Sequence, residues 1–395
     1  MEWRLEHMDG RQMSVTWPKG FRAAGVACGI KSSGALDLAV VINDGPSDAA
    51  AAVFTSNRFQ AAPVLWTQQV VRDGRLRAVV INSGGANACT GAPGFQDAHA
   101  TAEHAAHELG ASALDVAICS TGLIGTRLPM PKVLDGVTKA IRELNAQGGA
   151  RAAEAIMTTD SRPKSAAVDS GDFRVGGIAK GAGMLAPALA TMIVVLTTDA
   201  DLAQVDPEAA LRKATSMSFD RIDSDGCMST NDTVILMANG ASDFRPTQAQ
   251  FEGVLLEACA DLAGQLIADA EGASKDIAVT VRAAATQEDA LAVARAVARS
   301  NLLKCAISGE DPNWGRVLAA AGTTTATFEP NAVDVAMNGV WVCQQGGIGD
   351  DRDLVDLSGR RVEITIDLHA GAQEATILTN DLTAAYVHEN SAYAT

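Results

Sequence analysis

Residues 176–198 read Gly-Gly-Ile-Ala-Lys-Gly-Ala-Gly-Met-Leu-Ala-Pro-Ala-Leu-Ala-Thr-Met-Ile-Val-Val-Leu-Thr-Thr, a glycine-rich turn that leads into a short apolar strand, Met192 to Leu196. Gly181-Ala182-Gly183 followed by Ala186 imitates a dinucleotide-binding fingerprint. That fingerprint needs a helix starting within the loop, and Pro187 stands where its first turns would run. A phosphate-binding loop fails as well, because Lys180 precedes the glycines and no Gly-Lys-Ser/Thr follows. Thr191 stands between small residues and the buried strand. Such a threonine either merely begins the strand or carries chemistry. A Thr hydroxyl becomes a nucleophile when a base sits beside it, and a freed α-amine is such a base. A cut between Ala190 and Thr191 would place hydroxyl and amine on one residue. The same hydroxyl could make that cut, by attacking the Ala190 carbonyl in an N-to-O acyl shift.

Outward from this stretch the chain alternates short strands with helices. Leu36 to Asn43, Arg77 to Asn82 and Val116 to Cys119 read as strands, and Asp97 to Leu109 as a helix closed by Gly110. Further on, the pattern predicts a helix from Pro207 through Ser216, a strand over Thr233 to Met237 and an amphipathic helix over Gln248 to Asp269. It then predicts strands over Ile277 to Ala283, Val362 to Leu368 and Glu374 to Leu378. A helix over Asp289 to Ser300 is capped from Thr286. A boundary is expected near Lys275, giving domains 1–275 and 276–395, both α/β.

Composition bounds the function. With 395 residues the chain has room for about two domains. Apolar residues at 47% and charged residues at 20% exclude wholesale disorder. The 31 basic and 47 acidic residues give a net charge of −16, which argues against a nucleic-acid partner but not against a small anion held by one or two cations. Seven cysteines without a Cys-x-x-Cys pair read as reduced, mostly buried thiols, hence a cytoplasmic protein. The first residues lack the features of a signal peptide, and the apolar run from Met184 to Leu196 is too short to span a membrane.

Weaker signals complete the reading. Ser120-Thr121-Gly122 after a strand could supply amides and a hydroxyl to an oxyanion, as few such turns do. His99, Glu103 and His107 share a helical face that reads as solvated rather than metal-binding, so no metal site is expected. Glu271, before Gly272, could orient an amine or simply be solvated. Gly309 to Arg316 is a dense polar loop that shapes either the site or the fold.

Seven ordered motifs together resemble one family, the ornithine acetyltransferases (glutamate N-acetyltransferases) of arginine biosynthesis. They are Asn82 to Gly91, Cys119 to Gly125, Met157-Thr158-Thr159-Asp160, Lys180 to Pro187 with Ala190-Thr191-Met192, Ser229 to Thr233, Gly309 to Arg316, and Asp381 to Tyr393. The resemblance spans nearly the whole chain. It implies the layered α/β sandwich of the aminopeptidase/ornithine-acetyltransferase superfamily with a smaller C-terminal α/β domain. It also implies self-cleavage between Ala190 and Thr191, into an α chain 1–190 and a β chain 191–395 that assemble as a heterotetramer. Thr191 would carry acetyl from N2-acetylornithine to glutamate in a ping-pong exchange. Thr121 and Gly122 match the family's oxyanion positions, and Thr158, Lys180, Thr191, Glu271, Asn390 and Thr395 its substrate-binding positions. Lys180 would pair with the substrate α-carboxylate and Glu271 with the ornithine side-chain ammonium. No metal or redox cofactor is implied; acetyl-CoA is a donor for some members only. The stretches Ser161 to Lys164 and Asp225 to Met228 touch no assigned role. The alternatives are an N-terminal-Thr aminopeptidase or amidase on the same scaffold, or a non-catalytic nucleotide-binding protein.

Overall fold

The computed structural model describes residues 13–186 and 192–392. The first 180 residues run β1 (Phe21–Val26), β2 (Leu38–Asn43), β3 (Ala49–Phe54), α1 (Ala62–Val70), β4 (Ala78–Ser83), α2 (Gly91–Leu109), β5 (Val116–Thr121), α3 (Met130–Glu143), α4 (Gly149–Ala155), β6 (Lys164–Asp169) and β7 (Arg174–Lys180). Next come β8 (Ile193–Thr198), α5 (Pro207–Met217), β9 (Thr233–Ala238) and α6 (Gln248–Ala268). Helix α2 starts six residues earlier than the alanine pattern predicts and ends where expected, on Gly110 in the left-handed region.

These elements make two sheets, ordered β1-β2-β4-β5 and β3-β9-β8-β7-β6. Strand alternation makes the second sheet a shared wall. Ile193 and Val195 of β8, with Ile235 and Met237 of β9, join the core formed by the first sheet, α2 and α3. Their neighbours Val194, Leu196, Val234 and Leu236 turn the other way, into a core with α5 and α6. The result is a helix–sheet–sheet–helix sandwich, the layered α/β architecture expected. β5 is an edge strand, and side chains of α1 blunt that edge. Trp66 Nε1 donates to the Val116 carbonyl at 3.0 Å, and the Thr67 hydroxyl donates to the Ile118 carbonyl while accepting from the Ile118 amide.

The last 120 residues hold β10 (Asp276–Ala284), α7 (Gln287–Ala298), α8 (Asn301–Ser308), α9 (Trp314–Ala321), β11 (Asp334–Met337), β12 (Val340–Gln344), β13 (Gly347–Ile348), β14 (Arg361–Asp367), β15 (Gln373–Asn380) and α10 (Ala384–Ala392). The strands form a third sheet, ordered β13-β12-β11-β14-β10-β15, with its own apolar core under α7 and α9. The Thr286 hydroxyl caps α7 by accepting from the Asp289 amide. The polar loop before α9 serves the fold: Glu310 pairs with Lys275 at 2.9 Å, and Asp311 with Arg352.

One expectation needs correction. Of the seven cysteines, all free, only Cys119, Cys259 and Cys343 are buried; Cys89, Cys227 and Cys305 are exposed, two on turns and one on the outer face of α8. The face of α2 that carries His99, Glu103 and His107 is exposed, as expected, with His99 also packed on Trp66. Among the described residues no cluster of His, Cys, Asp and Glu is arranged to hold a metal, and no helix is long and apolar enough to cross a membrane.

Candidate active site

β4 and β5 are parallel, so Ser83 and Thr121 end side by side. In the second sheet Lys180, the last residue of β7, stands opposite Ile193, the first of β8, which stands opposite Thr233, the first of β9. The same end of both sheets therefore gathers Thr121, Lys180 and the lead-ins to β8 and β9. Lys180 Nζ crosses between the sheets and donates to Thr121 Oγ1 at 3.2 Å, with both residues buried. Burial lowers the Lys180 pKa, and the charge of Asp160 opposes that shift.

Gly122 follows Thr121 and must be glycine. Its φ is +126°, and a Cβ there would lie 2.5 Å from the Gly85 nitrogen. The amides of Gly84 and Gly85 both donate to the Thr121 carbonyl at 2.9 Å, which locks the turn. Asn231 braces it from the second sheet: its Nδ2 donates to the carbonyls of Ala86 (2.6 Å) and Ser120 (2.8 Å). Gly84 and Gly122 then form one wall of a cavity of about 340 Å³, whose other walls are Lys31, Thr158 and Thr159. Buried Asp37 holds the Lys31 wall by accepting the amides of Cys28, Gly29, Ile30 and Lys31 at 2.7–3.0 Å.

Asp160 ties these parts together. Its carboxylate accepts from the Thr158 amide (2.9 Å), the Gly181 amide (2.7 Å) and Lys164 Nζ (2.6 Å). Burial pushes its pKa up, but Lys180, Lys164 and the Gly181 amide outweigh it and hold it at about 2. Lys164 is fully buried between Asp160 and Asp269, 2.6 Å from each. The expectation that residues 161–164 touch no role is corrected here: Lys164 fixes the carboxylate that fixes Thr158 and Gly181.

Glu271 closes the other side. Its Oε1 accepts from the Thr159 hydroxyl at 2.6 Å, and its Oε2 from Asn390 Nδ2 of α10 at 2.9 Å. Gly183 makes room for it, since a Cβ there would come within 2.5 Å of the carboxylate. Six predicted residues, Thr121, Gly122, Thr158, Lys180, Glu271 and Asn390, thus belong to one connected site. Ala190, Thr191 and Thr395 lie outside the described residues. Their described neighbour Met192 is anchored at this same end. Its amide donates to Asp232 Oδ1 at 3.0 Å, and its carbonyl accepts from the Thr233 amide at 3.2 Å. Asp232 is fully buried, and burial raises its pKa well above the usual carboxylate range.

The sequence reading assigned no role to Asp160, Lys164, Asn231 or Asp232, although three of them sit inside quoted motifs. No helix begins within described residues 181–186, the turn where a dinucleotide fingerprint would start one.

This end of the sandwich is equipped for carbonyl chemistry. A glycine turn and a threonine hydroxyl edge a cavity, a buried ammonium stands beside them, and a carboxylate held by neutral donors faces them. Fold and site fit an acyltransferase. The family model described as the ArgJ family matches residues 22–395. The chain is 62% identical over 383 residues to the arginine biosynthesis bifunctional protein ArgJ of Thermobifida fusca, covering 97% of this chain and all of that one. Against the ArgJ protein of Mycobacterium tuberculosis it is 56% identical over 391 residues, 97% of each. A crystal structure of ornithine acetyltransferase from M. tuberculosis complexed with ornithine shares 59% identity. It covers 46% of this chain and 97% of that one, with a TM-score of 0.44. The chain belongs to the ArgJ family and is an acetyltransferase of arginine biosynthesis.

Proposed function

We propose that this enzyme moves acetyl from N2-acetylornithine to glutamate through an acetyl ester on Thr191, after cutting itself before that residue. In the cut, the Thr191 hydroxyl attacks the Ala190 carbonyl, the peptide nitrogen leaves as an amine, and water hydrolyses the resulting ester. The new α-amine then serves as base. It takes the hydroxyl proton as Thr191 Oγ attacks the acetyl carbonyl, and passes it to the departing ornithine nitrogen. Glutamate enters, its α-amine attacks the ester, and N-acetylglutamate leaves. One amide is exchanged for another, so the chemistry calls for no metal or redox cofactor. The negative oxygen formed in each half-reaction falls to the Gly122 amide and the Thr121 hydroxyl. Lys180 receives the substrate α-carboxylate as a charge-assisted pair, Thr158 lines the same cavity, and Glu271 with Asn390 receives the ornithine ammonium. Thr395 adds a hydroxyl from the chain end.

The observation that carries this reading is the anchoring of Met192, one residue on from Thr191, at the strand ends where Lys180 meets Thr121. The same reading places the α and β chains in a cytoplasmic heterotetramer and leaves acetyl-CoA as an additional donor to be assayed. Intact mass and N-terminal sequencing of the denatured protein test it: two fragments, one beginning at Thr191, are expected, and Thr191→Ala stays uncut and inactive. An uncut wild-type chain that transfers acetyl overturns the self-cleavage. Acetyl released only to water, with none captured by glutamate, makes the enzyme an amidase instead.

A further inference from the structure

Transfer through one nucleophile places donor and acceptor in the same seat in turn. Each presents its α-nitrogen to the ester and its α-carboxylate to the same cation, so the two side chains must enter the same space. One ends in an ammonium and the other in a carboxylate. A subsite of a single sign would bind one and repel the other.

Beyond Glu271 lies a second cavity, of about 290 Å³, at the seam between the second and third sheets. Asp225, Glu271, Arg299, Asn301, Lys304 and Asp381 are among its lining residues. Its acidic side comes from the sandwich. Glu271 enters already aimed by Thr159 and Asn390, and Asp225 sits on the turn before β9, where its Oδ1 accepts the Cys227 amide at 3.0 Å. Its basic side comes from the third sheet's helices. Lys304 of α8 is buried, with Nζ donating to the Ser224 carbonyl and to the Thr379 hydroxyl at 3.2 Å. Arg299, just after α7, pairs through Nε with Asp223 at 2.7 Å and is half exposed. Asp381 is committed elsewhere, to the amides of Ser274 and Lys275 and the Ser274 hydroxyl. The cavity thus offers two carboxylates on one wall and two cations on the other, and it meets the catalytic cavity at the Thr159–Glu271 bond.

We propose that this seam cavity is a mixed-charge side-chain subsite. Asp225 and Glu271 hold the side-chain ammonium of the donor, and Lys304 with Arg299 holds the side-chain carboxylate of the acceptor. The proposal rests on the double-displacement reading above and adds to it the residues that let one seat accept both charges. Asp225, in a stretch that the sequence reading set aside, becomes a specificity residue.

The test is steady-state acetyl transfer by the processed enzyme, with N2-acetylornithine and glutamate varied separately. A charged hydrogen bond lost from one substrate is worth roughly tenfold or more in its KM. Lys304→Met is expected to raise the glutamate KM by about that factor and to change the N2-acetylornithine KM less than about twofold. Lys304→Arg should restore much of the loss. Asp225→Asn should show the opposite split. With glutamine as acceptor, the wild-type preference for glutamate should shrink in Lys304→Met. If Lys304→Met does not fold, Arg299→Gln carries the same measurement from a half-exposed position. Equal shifts for both substrates, or none for either, overturn the proposal and leave these residues a purely structural seam. The parent reading is judged separately, by whether wild-type enzyme incubated with N2-acetylornithine alone gains an acetyl group on the Thr191 fragment. If it does and the KM values fail to split, only the subsite falls; if it does not, both fall.

Discussion

The reacting end of the site and the seam cavity beyond Glu271 are built on opposite plans. The reacting end is bonded internally, to neighbours in the sandwich. The Thr121 carbonyl takes two amides, and Asp160 takes two amides and a lysine. The seam cavity is assembled from turns and helix ends of two different layers, and charged groups of both signs line it. A rigid, internally bonded centre suits groups that must meet a developing charge without reorganising. A rim that carries both signs suits substrates whose side chains differ in charge. Substitutions at the first should therefore damage all chemistry together, and substitutions at the second should discriminate between substrates.

A matched pair of glycines gives the largest effect and the most direct way to break this contrast. Gly122 and Gly226 both have positive φ, +126° and +72°, in a region that side chains resist. At Gly122 the added Cβ also meets backbone within 2.5–2.9 Å, whereas at Gly226 nothing lies within 4 Å. Gly122→Ala is expected to cut acetyl transfer on the order of 10²-fold or more for both substrates, the scale of a lost oxyanion donor. Gly226→Ala should cost about 1 kcal/mol of stability from φ alone, with turnover little changed. Single-turnover acetylation and thermal melts of the two variants check this. A Gly122→Ala enzyme of normal rate would mean that the glycine turn is not where the oxyanion forms.

Asp160 gives the next effect, in stability rather than rate. Its carboxyl is held at about 2, below the ordinary 3.8, so the folded state prefers the ionised form. The corresponding stabilisation is fully present above about pH 4 and is lost as pH falls through about 2, amounting to about 2 kcal/mol by linkage. Asp160→Asn should remove that slope. At neutral pH it should cost about 3 kcal/mol, because buried Lys164 keeps only Asp269 of its two described carboxylates and Lys180 loses the carboxylate that most offsets its burial. Urea melts of both proteins at pH 7 and across pH 2–4 measure both quantities. Parallel pH curves would show that the Asp160 charge is not what ties the site together.

Much of this was legible in the sequence, for identifiable reasons. Val79-Val80-Ile81 and Ile193-Val194-Val195-Leu196 announce β4 and β8 through branched side chains, and Thr286 announces the start of α7. β3 is Ala-Ala-Ala-Ala-Val-Phe, and β7 carries Gly176 and Gly177; neither composition favours a strand, and both owe their form to sheet partners. The candidate site followed the same division. Thr121, Gly122, Lys180 and Glu271 stand in compact motifs. Asn231 reaches carbonyls 111 and 145 residues away, and Lys164 reaches Asp269 across 105, contacts that leave no local pattern. The mixed charge of the seam cavity is of this second kind, since Asp225 and Lys304 are brought together only by the docking of the third sheet.

Asn390 gives the smallest effect and the finest discrimination between the two plans. It is exposed on α10, and of the two described bonds that aim Glu271 it supplies only one, at 2.9 Å; the Thr159 hydroxyl supplies the shorter, at 2.6 Å. Removing it leaves the carboxylate held from within the sandwich, so the fold should not register the change: an exposed polar truncation costs within about 0.5 kcal/mol. What Asn390→Ala should lose is the fixed orientation of Glu271 toward an ammonium. The expected result is a KM for N2-acetylornithine raised by roughly threefold to tenfold, the value of one hydrogen bond, with the glutamate KM and the melting temperature unchanged. Thr159→Val should do the same and also loosen the wall shared with the catalytic cavity, so that glutamate suffers too. If Asn390→Ala instead slows both half-reactions equally, α10 is part of the rigid centre rather than of the discriminating rim, and the line between the two regions moves outward past Glu271.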